Sequence, residues 1–580
     1  MTRLEVWAPN AGSVDVVFGE GERVSMELAG DGWWWAEVAS LAPGQDYRFS
    51  LDGAEGIPDP RSPWQPAGVH GPSRIVDHAA FQWTDSSWAT FPLADAVAYE
   101  LHVGTFSPKG TFDGAVPYLD HLVDLGVNTV EVMPVNQFPG ARGWGYDGVD
   151  VYAPQHEYGG PDGFKRLVDA CHGRGLAVIL DVVYNHLGPD GNYLGAFGPY
   201  FTARYSTPWG MAPNLDGAES DNVRSFIVDN ALMWLRDYHV DGLRLDATHA
   251  IVDMSALHIL EQLVDAVRAF DPGRWVIAES DRNDPRLVWD RESGGYGLDA
   301  QWSDDFHHSL HAALTGERQG YYADFGPLAD IAAAWNNAYV YDGRYSVFRR
   351  RHHGRSPGRG MPGTRFFGYL QNHDQVGNRA QGDRSSHLLS QPHLEAAAAL
   401  VLLSPFVPML FQGEEWGASS PFQYFTDHRD PALAKAVSEG RAREHAGFGG
   451  EVPDPQDPAT FERSRLNWAE RELAPHRDLL EWHRSLIGLR RSEAMAPLRG
   501  GNLGGEHVAW DESGRWLVID RGAVAVVANV GERNVRAPVP GASGRELLAL
   551  SPSCRDAVAV DGNTVELPPG AVVLGVRHDG

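Results

Sequence analysis

Up to about residue 90, apolar and polar positions alternate in short runs, "RLEVWAP", "SVDVVFG", "WWWAEVA" and "DYRFSLDG", broken by Gly, Pro, Asn and Asp. A period of two is the mark of half-buried strands, and the set predicts a small β-sandwich. From about 97 the pattern changes to apolar runs alternating with amphipathic stretches such as "YLDHLVDLG" and "FKRLVDACHGRG". The strand candidates are "AVAYELHVGTF" (96–106, without its tail), "VNTVEVMPV" (127–135), "LAVILDVVYNH" (176–186) and "VDGLRLDATH" (240–249). They continue with "RWVIAES" (274–280), "GLDAQWSDDF" (297–306), "FFGYLQNHD" (366–374) and "VPMLFQGEE" (407–415). Eight such units predict an α/β fold of the (β/α)8 barrel type. The alternative, a doubly wound open sheet, would need a glycine-rich phosphate loop after its first strand, and "HVGTFSPKG" is not one.

After about 500 the alternation returns in "HVAWDE", "RWLVIDRG", "AVAVVANV" and "AVVLGVRH", which predicts an antiparallel β-domain. The expected organisation is therefore a sandwich over 1–90, a barrel with rim excursions over 91–498, and a C-terminal β-domain over 499–580. Residues 187–222 read as an excursion over the barrel mouth. Residues 349–364, "RRRHHGRSPGRGMPGT", read as a mobile, solvated connection. Residues 425–464 form a further irregular excursion before a last helix near 476–496. Trp33, Trp34 and Trp35 could make a sugar-stacking platform. The preferred reading is that alternate tryptophans fill the sandwich core and its seam with the next domain.

Composition narrows the function. A chain of 580 residues exceeds one core, so two to four domains are expected. The formal charge of −29 argues against a nucleic-acid groove and against docking on an anionic membrane, and favours a neutral substrate. The two cysteines, Cys171 and Cys554, are too far apart in sequence to suggest a disulfide framework. "MTRLEVWAPN" lacks the apolar core of a signal peptide, and no window is apolar enough to span a bilayer. A cytoplasmic location is expected.

Three carboxylates end three different predicted strands: Asp246, Glu279 and Asp374. Singly, each could be a helix cap. Together at the carboxyl-terminal mouth of one barrel, they suit glycosidic cleavage. That reaction needs an ionised carboxylate to attack carbon and a protonated acid to assist the leaving oxygen. Arg244, two residues before Asp246 on the same strand face, would hold it ionised. Glu279 follows an apolar run that would desolvate it and raise its pKa. His373 beside Asp374 could help grip sugar hydroxyls.

"DVVYNH" (181–186), "GLRLDATH" (242–249), "IAES" (277–280) and "QNHD" (371–374) resemble, in order, the four signatures of the α-amylase superfamily. The resemblance implies Asp246 as nucleophile, Glu279 as general acid/base and Asp374 as transition-state stabiliser. His186, Arg244 and His373 would line the −1 subsite, with Tyr146 stacking beneath its sugar. Within the superfamily, "YELHVGTFSPKGTFDGA", "MPVNQFPGARGWGYDGVDVYAP", "AESDRNDPR", "WSDDFHHSLH" and "FQGEEWGASSPFQYFTDH" are similar to maltooligosyltrehalose trehalohydrolases. The likeness covers nearly the whole chain, and it implies an immunoglobulin-like N-terminal sandwich of the carbohydrate-binding type.

The implied reaction is retaining hydrolysis of the α-1,4 bond next to the terminal trehalose of a maltooligosyl trehalose. Specificity is expected from the loops after strands five and six, at Asp281, Asp304, Asp305, Phe306, His307 and His308. His249, Gln375 and Asn378 complete the expected substrate-binding set. The chemistry needs only carboxylates, so no cofactor and no metal are expected, and Asn185 lacks the Asp-rich companions of a calcium site. The expected pathway partner is the synthase that makes the terminal linkage, and the expected state is a monomer. A 1,4-α-glucan branching enzyme is the alternative, and a non-catalytic glucan-binding protein a more remote one.

Overall fold

The computed structural model describes residues 2–444, 452–496, 501–505, 507–539 and 541–576. The N-terminal runs form two antiparallel sheets packed as a sandwich. One orders Thr2–Trp7, Trp33–Val38 and Glu27–Gly30; the other orders Glu22–Ser25, Val14–Phe18, Asp46–Leu51 and Ser73–Arg74. Val6, Val14, Val16, Trp34, Ala36 and Phe49 are buried in its core. Period-two geometry sends Trp34 inward, where its indole N–H donates to the Ala8 carbonyl at 3.1 Å. Trp33 lies at the seam, donating to Asn222 of the helix Ser220–Asp237 at 2.9 Å, and Trp35 is covered by Arg3. Core and seam account for Trp34 and Trp33, and Trp35 lies on the outer face.

Eight parallel strands close into a barrel in chain order. They are β1 (Ala98–Leu101), β2 (Thr129–Val132), β3 (Ala177–Val182) and β4 (Gly242–Leu245), then β5 (Trp275–Ala278), β6 (Ala300–Trp302), β7 (Phe366–Gly368) and β8 (Val407–Phe411). Every residue of these strands is buried. Burial on both faces explains why the sequence reads as continuous apolar runs rather than alternation. The outer helices cover them with one apolar stripe each. In Ile259–Phe270 that stripe is Ile259, Leu260, Leu263, Val264 and Val267, and His258 with Glu261 forms a capping box at its start. Truncating a buried leucine such as Leu263 to Ala would cost roughly 2–5 kcal/mol.

The linker from the sandwich is pinned beneath the barrel. Asp241, fully buried just before β4, accepts from the Trp88 indole N–H and the Val178 amide at 2.8 Å each, and from the Thr90 hydroxyl. His172 lies between Asp241 and Asp85, 3.0 and 2.8 Å away.

The excursions are more ordered than their composition suggests. The segment expected to be a loose basic connection begins within a hairpin, Asp342–Ser346 with Arg351–Gly354. Its turn is organised by Asp324, which accepts from the amides of Val347 (2.7 Å) and Phe348 (3.2 Å) and the Tyr341 hydroxyl (2.7 Å). Pro362, further along, bridges to Asn502. The 187–222 excursion carries the hairpin Phe201–Thr207 with Gly210–Pro213, and the 425–464 excursion carries the helices Pro431–Glu444 and Pro458–Arg463. The last barrel helix is His476–Arg491.

Beyond it stand a five-stranded and a three-stranded antiparallel sheet with a shared core of Val518, Val527, Val565 and Leu567. The expected boundary at 498/499 and the end of "VVLGVRH" lie outside the described residues. Among the described residues, no helix is long and apolar enough to cross a membrane.

Candidate active site

The site gathers where β3, β4, β5 and β7 end. Asp246 follows β4 directly, its side chain 11% exposed; Glu279 follows β5 at 15%; Asp374, on the short helix His373–Gly377 after β7, stands open at 41%. Arg244 in β4 is fully buried and serves several carboxyl groups. Its Nη1 lies 2.8 Å from Asp181 Oδ2 and 3.0 Å from Asp246 Oδ1, while its Nη2 lies 2.9 Å from Glu279 Oε2. One planar cation therefore lies against both Asp246 and Glu279.

The pKa values of the two acids are displaced in opposite directions. Burial works against ionising Asp246, but Arg244, His186 and the Asn185 amide outweigh it and hold its pKa below the ordinary value. That amide donates to Asp246 Oδ2 at 2.6 Å. Burial pushes Glu279 well above the ordinary carboxylate range, with Asp246, Asp374 and Asp304 adding to the push against Arg244. The backbone supports this pairing. Ala247 turns the chain at φ 38°, a conformation unusual outside glycine, and its amide then donates to Glu279 Oε2 at 2.7 Å.

A second chain of contacts ties β1, β3 and β7 together. The Tyr146 hydroxyl donates to Asp181 Oδ2 at 2.7 Å and meets His373 Nε2 at 2.8 Å. Since that hydroxyl's hydrogen is committed to Asp181, His373 Nε2 must donate to it. His373 Nδ1 also donates, to Glu100 of β1, so the ring carries two protons. Burial opposes this charge, but Glu100 and Asp374 raise the His373 pKa to about 9. Tyr146 stacks on His373, ring centroids 5.1 Å apart, and His186 Nε2 donates to the Tyr146 carbonyl at 3.0 Å.

On the far side of Glu279 and Asp374 a cleft of about 210 Å3 opens. It is lined by Asp281, Asp304, Asp305, His308, Gln375 and Asn378, all expected from sequence, and by Asn283, Tyr321, Phe348 and Arg349. Asp281 pairs with Arg349 at 2.9 Å and lies 3.8 Å from His249. Burial raises the pKa of Asp304 to about 7, and its Oδ1 accepts from the Tyr369 hydroxyl at 2.6 Å. Asp305 accepts from the amides of Val340 and Tyr341 at 2.7 and 2.8 Å, so it also holds the loop leading to the basic hairpin. Gln375 Oε1 caps Asn372 N at 3.0 Å, and Asn378 lies 3.4 Å from Asp374 Oδ1.

Two expected binding residues are misplaced by the sequence reading. Phe306 is fully buried in the core against Phe406 and Trp335, and His307 is spent on the Leu370 carbonyl and the Tyr322 hydroxyl. Both lie on the helix Asp304–Thr315. There Asp304, Asp305 and His308 line the cleft, while Phe306 and His307 turn inward.

Sequence reasoning missed Glu100, Asp181, Arg349 and Trp209, the last stacked on His186 at 4.4 Å. The first two were detectable as charges inside apolar strands. The other two sit on hairpins whose partners are remote in sequence.

Comparison with known proteins agrees with this geometry. The family model "Alpha amylase, catalytic domain" matches residues 75–197, and "Domain of unknown function (DUF3459)" matches 501–574. A malto-oligosyltrehalose trehalohydrolase of Arthrobacter ramosus is 53% identical over 503 residues, 84% of this chain and 87% of that one. Its counterpart from Rhizobium sp. (strain M-11) is 48% identical over 589 residues, 99% of this chain and 97% of that one. A crystal structure from Salmonella typhimurium, described as a candidate alpha amylase, superposes with a TM-score of 0.91 at 38% identity. It covers 99% of this chain and 97% of its own.

Proposed function

The chain belongs to the malto-oligosyltrehalose trehalohydrolase family, within the α-amylase superfamily, and from that membership we propose that it releases trehalose from maltooligosyl trehaloses. The bond cut is the α-1,4 linkage next to the terminal trehalose, with anomeric configuration retained. The observation that carries the mechanism is the single guanidinium of Arg244 lying against both Asp246 and Glu279, whose pKa values are displaced in opposite directions.

Ionised Asp246 attacks the anomeric carbon while protonated Glu279 gives its proton to the departing oxygen, leaving a glycosyl ester on Asp246. Glu279, now a carboxylate, takes a proton from water, which cleaves the ester from the same face. Asp374 and His373 hold ring hydroxyls and Tyr146 underlies the ring. The trehalose unit leaves through the cleft bounded by Asp281, Asp304, His308 and Arg349. Asn378 and Gln375 steady Asp374 and its helix, and His249 flanks Asp281. A neutral substrate suits a chain of charge −29. The enzyme would act as a cytoplasmic monomer downstream of the synthase that makes the 1,1 linkage.

The test is product analysis. Maltotriosyl trehalose incubated with the enzyme should yield trehalose and maltotriose by chromatography. New α-1,6 branch points on amylose, with no trehalose released, would assign the chain to glucan branching instead.

A further inference from the structure

The barrel lumen holds an acid that this hydrolytic cycle does not use. Glu131, the third residue of β2, is 1% exposed and pairs in register with Glu100 of β1. Both of its carboxyl oxygens are buried without a hydrogen-bond partner. So are the Arg244 Nε and Nη2, the latter only ion-paired with Glu279, and the Trp302 indole N–H, and the Trp302 ring lies 4.2 Å from the Arg244 guanidinium carbon. β2 and β4 flank β3, so unsatisfied donors of Arg244 and an unsatisfied acid that acts on it electrostatically share one region of the barrel. Polar groups buried in this way are normally served by ordered water when no protein partner reaches them.

The charged groups facing Glu131 are Glu100, Arg244, Asp181 and His373. Burial and then the neighbouring Glu100 push its pKa well above the ordinary carboxylate range. Burial therefore favours its protonated form, which has one O–H to donate and a carbonyl to accept.

We infer that Glu131 is a positioning residue for the hydrolysis proposed above, holding the Nε edge of Arg244 through ordered water. That hold fixes the guanidinium plane whose other edge meets Asp181, Asp246 and Glu279. With it gone, Arg244 can rotate toward the unpaired side and Asp246 loses part of its stabilising cation. No atom of Glu131 touches the reacting bond.

The test compares wild type, Glu131→Gln and Glu131→Leu by pH-rate profiles of kcat/KM on α-maltosyl fluoride. That substrate needs no trehalose recognition, so an enzyme that turns it over without releasing trehalose would defeat the substrate reading and leave this test intact. Glutamine keeps a donor and an acceptor. Its kcat should stay within about threefold of wild type and its acid limb should not move. Leucine keeps the volume and loses both. Its kcat should fall about tenfold or more at unchanged KM, and its acid limb should move up by about one pH unit as Asp246 becomes harder to ionise. An unmoved acid limb in Glu131→Leu overturns the inference, because a purely structural loss would lower the rate without moving the limb. An equal displacement in Glu131→Gln overturns it as well. Should the leucine variant fail to fold, Glu131→Asp, one methylene shorter, must displace the limb in the same direction, and an unmoved limb there is equally fatal.

Discussion

At the end of β4, Arg244 is fully buried, with its guanidinium against Asp181, Asp246 and Glu279 and the Trp302 ring beneath it. A cation in that environment is tolerable only because carboxylates surround it, and their geometry decides which of them stays charged. Asp246 adds the Asn185 amide and the nearby His186, while Glu279 faces the push of Asp374 and Asp304. Catalysis needs Asp246 ionised, so activity is present above its lowered pKa and lost as pH falls through it. It also needs Glu279 protonated, so activity is present below its raised pKa and lost as pH rises through that value. The kcat/KM profile on the natural substrate should therefore be a bell. Its acid limb should lie below the ordinary carboxylate value of about 4, and its alkaline limb well above it. Coincident limbs near pH 4 would contradict these assignments.

Among the elements, the strands deliver the acids and the hairpins shape what surrounds them. The hairpin of Asp342–Ser346 and Arg351–Gly354 carries Arg349 to Asp281, and Asp324 fastens its turn with two amides and the hydroxyls of Tyr341 and Ser346. Asp324→Ala leaves those donors without their acceptor. Hydrogen bonds to a charged group are worth about 1.5–3 kcal/mol each, but this turn is partly solvated and water replaces much of the loss. The expected stability loss is about 1–3 kcal/mol by denaturant titration. The kinetic signature should be a several-fold rise in KM for maltotriosyl trehalose with kcat nearly preserved, because the acids on β4, β5 and β7 do not move. A fall in kcat at constant KM would mean that the hairpin acts on the chemistry rather than on binding.

For the whole molecule, the sandwich is sewn to the barrel at several points, Arg61 with Asp229 among them. Trp33 joins it to Asn222, and its trailing linker is held by Asp241 beneath the strands. The C-terminal sheets rest on the helix Gln391–Leu402, where Glu395 accepts from Ser553 N at 3.0 Å. Much of this was legible in the sequence. The barrel strands read as largely apolar runs because both faces are buried, and the acids that end β4, β5 and β7 stand out against them. What was not legible depends on three-dimensional direction or on distant partners. "DDFHH" reads as one cluster along the chain, yet on a helix Asp304 and His308 face the cleft while Phe306 faces Phe406 and Trp335. The basic run at 349–364 reads as solvated because neither Asp281 nor Asp324 is near it in sequence. The proposed mechanism has all of these parts converge on one sugar ring, with Asp246 as the group that bonds to it. The most direct measurement is therefore mass spectrometry of Glu279→Gln after reaction with α-maltosyl fluoride, which forms the glycosyl ester without an acid catalyst and slows its hydrolysis. The predicted result is one maltosyl adduct on the peptide containing Asp246. An adduct on the peptide containing Asp374, or rapid turnover with inverted anomeric configuration, would contradict the account.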